Sequence, residues 1–274
     1  MPKILFFDLD NTLWDGNEQV PASAAEAIAA AQRNGHKFFP NTGRSRAAVH
    51  QKALFDLKPD GLVSGGGTRV ELPGNRRTWV MEDSTLNECH TEPFLDNDLI
   101  AWTVEEGRKY GVRFLLEGPE IMYMGKEDIS DHWFFSSISA RFGARIRDIN
   151  ACWGRWEASK MTCEIGDREK CAPLLDLFEE RYQVIRHVDT TIELEPRGMD
   201  KGRGVREVCR LLDVPIADTI AFGDSANDLG MLRAAGMAVV MGNGAETVKA
   251  VADYVCPPLR ENGILEAFKT LKLI

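Results

Sequence analysis

Ile4-Leu5-Phe6-Phe7-Asp8-Leu9-Asp10-Asn11-Thr12 is the stretch whose reading decides the fold. A short apolar run stands between Pro2-Lys3 and a cluster of Asp, Asn and Thr, so Ile4–Asp8 reads as a strand buried on both faces of a parallel sheet. Downstream, Pro21 and Ser23 open the Ala-rich stretch Ala24–Gln32, and Gly35 lies just past its end, which is helix punctuation. Lys37–Phe39 is a second apolar run and leads into Asn41-Thr42-Gly43-Arg44. A helical segment is expected around Arg46–Leu54, then a third strand at Gly61–Val63. This alternation predicts an α/β fold, a doubly wound parallel sheet with helices on both faces. Ligands of such sheets bind beyond the carboxyl ends of the strands, where Asp8 and Thr42 both stand.

The pattern changes between about Ser84 and Glu195. Helix-like segments at Asn97–Tyr110 and Arg168–Arg181 are separated by short strands. Val112–Leu116 and Ile121–Met124 flank Glu117-Gly118-Pro119-Glu120, a hairpin turn, and Lys160–Ile165, Gln183–His187 and Thr191–Glu195 are further strand candidates. Residues 84–195 therefore read as an inserted α+β domain, and residues 1–83 and 196–274 as one Rossmann-like core. After Met199-Asp200-Lys201-Gly202 the alternation resumes, with helices at Val205–Leu212 and Asn227–Ala234 and strands at Thr219–Phe222 and Ala238–Val240.

Composition narrows the function classes. The chain has 274 residues, 44% hydrophobic and 27% charged, which suits a globular protein with a sizeable core. A net charge of -9 argues against a nucleic-acid partner, which calls for clustered Lys and Arg, but not against a local phosphate site. The six cysteines show no C-x-x-C pair and no zinc-ligand spacing, so they read as buried thiols. The apolar run at the start is soon interrupted by carboxylates, and no stretch is long enough to span a bilayer. The expectation is a cytoplasmic protein without a signal peptide.

Four groups of residues point to phosphate chemistry. Asp8 and Asp10 sit two apart at the end of the first strand, where side chains of an extended segment share one side. Two carboxylates so placed need a cation or a shared proton; one can attack phosphorus and the other can transfer a proton. The same pair also fits a turn cap beside a solvated acid. Gly223-Asp224-Ser225-Ala226-Asn227-Asp228 follows another apolar strand and offers the hard oxygen ligands magnesium prefers. It also fits an ordinary helix N-terminus. The Thr42 hydroxyl and nearby amides, including that of Gly43, can hold phosphoryl oxygens, and Arg44 can reach a phosphate with its planar fork. Lys201 can offset their charge, although most lysines are simply solvated.

Together DLDNTL, NTGR, MDKG and GDSANDLGML, with a large insert between the second and third, resemble the four motifs of the haloacid dehalogenase-like phosphatases, Cof-type (class IIB cap) branch. Met241-Gly242-Asn243-Gly244 is also similar to a loop of that branch. The resemblance implies that Asp8 is the nucleophile and Asp10 the general acid/base. It implies that Mg2+ is held by Asp8, the Asp10 main-chain carbonyl and Asp224, with Asp228 behind them. Thr42, Gly43, Lys201 and Asn227 would grip the phosphoryl group of a small phosphorylated metabolite, such as a sugar phosphate. The branch commonly has Gly where this chain has Asn11, and Ala where it has Asn41. A phosphomutase and a non-enzymatic phospho-acceptor or binding protein are the competing readings. In the insert, Trp102, Trp133, Trp153, Trp156, His90, His132, His187, Glu117, Tyr123 and Arg155 are candidates for substrate contact, none singled out by the sequence, which also leaves the oligomeric state open.

Overall fold

A computed structural model describes residues 1–73, 87–91, 94–187 and 190–274. The chain forms two compact units, one comprising Met1–Gly43, His50–Thr91 and Asp200–Ile274, the other Arg44–Val49 and Glu92–Met199. The first unit begins with β1 (Ile4–Phe7), α1 (Ala22–Arg33), β2 (Lys37–Pro40), α2 (Lys52–Asp56), β3 (Leu62–Ser64), β4 (Arg69–Pro73) and β5 (Asn87–Thr91). The second contains α3 (Asn97–Arg108), β6 (Arg113–Glu117), β7 (Met122–Met124), α4 (Lys126–Asp131), α5 (Trp133–Phe142), β8 (Ile146–Asp148), β9 (Lys160–Glu164), α6 (Ala172–Glu179), β10 (Tyr182–Arg186) and β11 (Thr191–Pro196). The first unit then resumes with α7 (Lys201–Leu212), β12 (Thr219–Gly223), α8 (Leu229–Ala234), β13 (Ala238–Met241), α9 (Glu246–Lys249), β14 (Tyr254–Cys256) and α10 (Gly263–Thr270).

The centre of the first unit is a five-stranded parallel sheet in the order β14-β13-β12-β1-β2. Every side chain of β1 is buried, as its unbroken apolar run requires when helices cover both faces. Ile4 and Phe6 pack with Val205 and Val208 of α7 and Met231 and Leu232 of α8. On the opposite face Phe7 stacks on Phe222 at 4.2 Å between ring centroids, and Phe268 of α10 lies 6.0 Å from Phe7.

Two sequence expectations change here. The third strand does not extend the parallel ladder: β3 pairs antiparallel with β4, and β4 with β5, leaving one parallel bridge from Val63 to Asn41. Gly65, Gly66 and Gly67, with φ of 60°, 63° and 92°, reverse the chain directly after β3. The single helix expected at Arg46–Leu54 is broken, because Val49 is extended, with φ -103° and ψ 96°. Its first part leaves the core: Ala47 and Ala48 are buried with Leu115, Met122, Met124, Phe135 and Phe142 in the second unit. The boundary expected at residue 84 lies outside the described residues. Asn87–Thr91 follows it and falls within the first unit, because it pairs with β4.

The second unit is α+β. Its six-stranded sheet runs β10-β11-β9-β6-β7-β8, antiparallel except between β7 and β8. One face supplies Phe114, Leu116, Met161, Cys163, Ile192 and Leu194 to a core shared with Ile100 and Val104 of α3 and Leu174 and Phe178 of α6. Trp156 is buried in that core and donates its Nε1–H to the Ile149 carbonyl at 3.0 Å, so its role is packing. Helices α4 and α5 had no counterpart in the sequence reading.

The start of α7 meets α8 through glycine. A Cβ on Gly202 would stand 2.3 Å from the Gly230 carbonyl oxygen, and one on Gly230 would stand 2.4 Å from Asp200 Oδ2. Gly202→Ala should therefore destabilise the protein by about 1–3 kcal/mol, the usual cost of overpacking, in urea unfolding. An unchanged midpoint would show that the two helices can separate without cost.

Candidate active site

Asp8 follows β1 directly, Asn41-Thr42 follows β2, and Asp224 follows β12. These three strands are neighbours in parallel register, with Phe7 opposite both Phe222 and Pro40. Their carboxyl ends therefore deliver Asp8, Thr42 and Asp224 to one edge of the sheet. Lys201 is the first residue of α7, and Asp200 caps that helix by accepting from the Arg203 amide at 2.6 Å.

The Lys201 ammonium lies at the centre. Its Nζ donates to Asp8 Oδ1 at 2.6 Å, to Asp228 Oδ1 at 2.6 Å and to Asn227 Oδ1 at 3.1 Å. The other oxygen of Asp228 accepts from the Asp224 and Ser225 amides at 2.9 and 3.0 Å, so both oxygens of this carboxylate are engaged. Asp224 Oδ1 accepts from the Thr12 hydroxyl at 3.0 Å. Asp8, Asp224 and Asp228 are all buried, and each places an oxygen within 4.8 Å of the others. Asp8 Oδ2 and Asp224 Oδ2 accept no hydrogen bond from the described residues.

Charge is out of balance in this pocket. Burial pushes the Asp8 carboxyl well above the usual range, the Asp228 carboxylate pushes the same way, and Lys201 opposes both. Burial, then Asp228, raises Asp224 to about 6. For Lys201, burial alone would lower the pKa, but Asp228 and Asp8 outweigh it and raise it above the ordinary lysine value. Three carboxylates against one ammonium, with two carboxylate oxygens lacking a donor, match the oxygen donors that a hard divalent cation takes up.

Asp10 stands apart from that triad. Its Oδ1 accepts from the Trp14 indole N–H at 3.0 Å, although its charge is felt at both Asp8 and Asp224. The extended geometry expected through Asp8–Asp10 ends early: the Leu13 and Trp14 amides both donate to the Leu9 carbonyl, and Asn11 has φ 61°. Only residues that tolerate left-handed backbone suit position 11, and Asn is one of them. Arg44, also expected at the site, begins the segment grouped with the second unit.

Three supporting residues escaped the sequence reading. Thr12 stands within the first motif and steadies Asp224. Asn41, fully buried, donates from Nδ2 to the Lys201 carbonyl at 2.9 Å and so fixes the main chain that carries the ammonium. Asn243, in the Met241–Gly244 loop, donates to the Asn11 carbonyl at 2.9 Å and accepts from the Leu259 amide at 2.9 Å.

Comparison with known proteins gives the family. The model of the haloacid dehalogenase-like hydrolase family matches residues 5–268, and the chain belongs to that family. YkrA of Bacillus subtilis (strain 168), which carries a provisional phosphatase name, is 29% identical over 99% of this chain and 98% of its own. Among solved structures, the subclass IIB sugar phosphatase BT4131 superposes with a TM-score of 0.80 at 26% identity, covering 99% of this chain and 100% of its own. A hypothetical protein from Geobacillus kaustophilus HTA426 gives 0.79 at 28% identity, with both chains fully covered. The chain is thus a haloacid dehalogenase-like hydrolase with a parallel-sheet α/β core and an additional α+β unit. No helix among the described residues is long and apolar enough to cross a membrane.

The raised Asp224 pKa has a definite sign in stability. With an ordinary value of 3.8 and a folded value of about 6, its contribution is present below the lower figure and lost as pH rises through the higher. In EDTA, urea midpoints of the wild type should fall relative to Asp224→Asn between about pH 4 and pH 6 and level off above that. Parallel profiles would contradict the electrostatic account.

Proposed function

We propose that this chain is a magnesium-dependent phosphatase that hydrolyses a small phosphorylated metabolite, of the sugar-phosphate kind, through a phosphoryl group carried on Asp8. The observation that carries this reading is the placement of Asp8. One oxygen is held by Lys201, while Oδ2 is left without a donor at the edge where Asp224 and Asp228 converge. The sugar-phosphate element draws on the name of BT4131.

In the proposed reaction, Asp8 attacks phosphorus and displaces the organic alkoxide, to which Asp10 delivers a proton. Asp10 then takes a proton from water, which attacks the aspartyl-phosphate and frees Asp8 and inorganic phosphate. Thr42, Gly43, Arg44, Lys201 and Asn227 bind the phosphoryl oxygens. Asp228 contributes through its neighbours: it anchors the Lys201 ammonium and the amides of Asp224 and Ser225. Asp8, the Asp10 main-chain carbonyl and Asp224 would hold magnesium. When bound there, it supplies positive charge that lets an anionic carboxylate and an anionic phosphoryl group approach.

Phosphate release from a panel of sugar phosphates, nucleotides and an aryl phosphate should require magnesium and be abolished by EDTA. Asp8→Asn should abolish turnover, and residual activity within about tenfold of wild type would contradict a nucleophilic role. Asp10→Ala should lower kcat by about a hundredfold or more, the usual weight of general acid–base catalysis; an unchanged rate would remove that role.

A further inference from the structure

Trp14 closes the loop that follows β1, and the reaction proposed above gives it no part. The chain turns sharply there. The Leu13 and Trp14 amides donate to the Leu9 carbonyl at 2.9 and 3.0 Å, and the Asn11 amide donates to the Trp14 carbonyl at 2.9 Å. Asp10 and Trp14 are thereby set side by side as a bridge pair. The turn is also held from outside, since Asn243 donates to the Asn11 carbonyl at 2.9 Å and Thr12 donates to Asp224 at 3.0 Å.

The indole is fully buried, and its Nε1–H donates to Asp10 Oδ1 at 3.0 Å. An indole nitrogen can only donate, so chemistry fixes the direction of this bond. Burying an indole obliges its N–H to find an acceptor, and leucine or phenylalanine would fill the space without that obligation. Bulk alone therefore does not account for tryptophan at this position. The acceptor it reaches is a half-buried carboxylate beside the reacting centre, whose charge is felt at Asp8 and Asp224. An aspartate side chain turns about two bonds, and a carboxyl free to do so is aimed at its target for only part of the time. A fixed donor on one oxygen removes much of that freedom.

We propose that Trp14 is a positioning residue for this reaction: its indole N–H holds the Asp10 carboxyl in the orientation from which the leaving oxygen is protonated. This rests on the phosphatase reading given above. In that step the ester P–O bond breaks with its electron pair on the departing oxygen, which takes the proton of the Asp10 carboxyl. Trp14 keeps its own proton throughout. An alkoxide, being a strong base, needs that proton most, whereas a nitrophenoxide departs readily as an anion. Loss of the indole N–H should therefore slow alkyl esters selectively.

The test compares kcat/KM for the sugar phosphate that wild type turns over fastest in the panel above with kcat/KM for p-nitrophenyl phosphate. Both are measured with magnesium in wild type, Trp14→Phe, Asp10→Ala and the double variant. This constant covers the steps up to release of the alcohol or phenol, so the later attack of water does not enter. Trp14→Phe should lower the ratio of the two values by about tenfold or more, the weight of a hydrogen bond to a charged group. In the Asp10→Ala background the same substitution should change the sugar phosphate value by less than about twofold, because the indole then has nothing to position. A tryptophan that merely filled the core would lower both values together, and equally in both backgrounds. That result, or a ratio within about twofold of wild type in Trp14→Phe, would overturn the proposal. If urea unfolding shows that Trp14→Phe does not fold, benzothienylalanine incorporated at position 14 keeps the shape of the ring, replaces its N–H by sulfur and carries the same expectations. If wild type hydrolyses no sugar phosphate, the reading given above fails and takes this one with it. Hydrolysis with an unmoved ratio overturns the role of Trp14 alone.

Discussion

One buried ammonium sets the arrangement of the first unit. Lys201 Nζ joins Asp8, at the end of β1, to Asp228, before α8, at 2.6 Å on each side. Segments nearly two hundred residues apart in sequence are thereby held at one sheet edge. Several independent contacts keep the ammonium there: the Asp200 cap starts α7 at this residue, Asn41 grips its carbonyl, and glycines let α7 and α8 approach. Removing an acidic partner would leave a buried charge uncompensated, which costs far more than an intact pair contributes.

The same arrangement is incomplete on its own. Lys201 balances one carboxylate while Asp8 and Asp224 are pushed toward their neutral forms by burial and by Asp228. A protein under selection for stability alone would have little reason to keep three acids there. Taking up a divalent cation would restore balance, and an anionic phosphoryl group could then approach Asp8 against less repulsion. Thr12 and Asn243 extend this logic outward, tying the first and last motif loops to the acidic centre without adding charge.

Much of this was legible in the sequence because the signals were local. The unbroken apolar run before Asp8 could be satisfied only by a strand covered on both faces, and the hairpin between β6 and β7 was written in its turn residues. What escaped depended on distant partners. Asn41 acts through the Lys201 carbonyl and Thr12 through Asp224, partners 160 and 212 residues away that no local signal announces. The helix expected around Arg46–Leu54 is broken because Ala47 and Ala48 belong to the second unit and pack in its core, which outweighs local helical preference. Likewise Lys160 reads as an ordinary strand lysine until the register places Glu117 and Thr162 beside it. Trp156, conspicuous in sequence, proved to be core.

The most direct test of the account is chemical trapping of the proposed acyl phosphate. Wild-type protein mixed with a turned-over phosphomonoester and magnesium would be acid-quenched in the steady state, treated with borohydride and digested. Reduction of an aspartyl-phosphate converts that residue to homoserine, which mass spectrometry locates. The account predicts homoserine at position 8, dependent on substrate and magnesium. An unmodified Asp8 under conditions of rapid turnover, with the label on another residue, would contradict it.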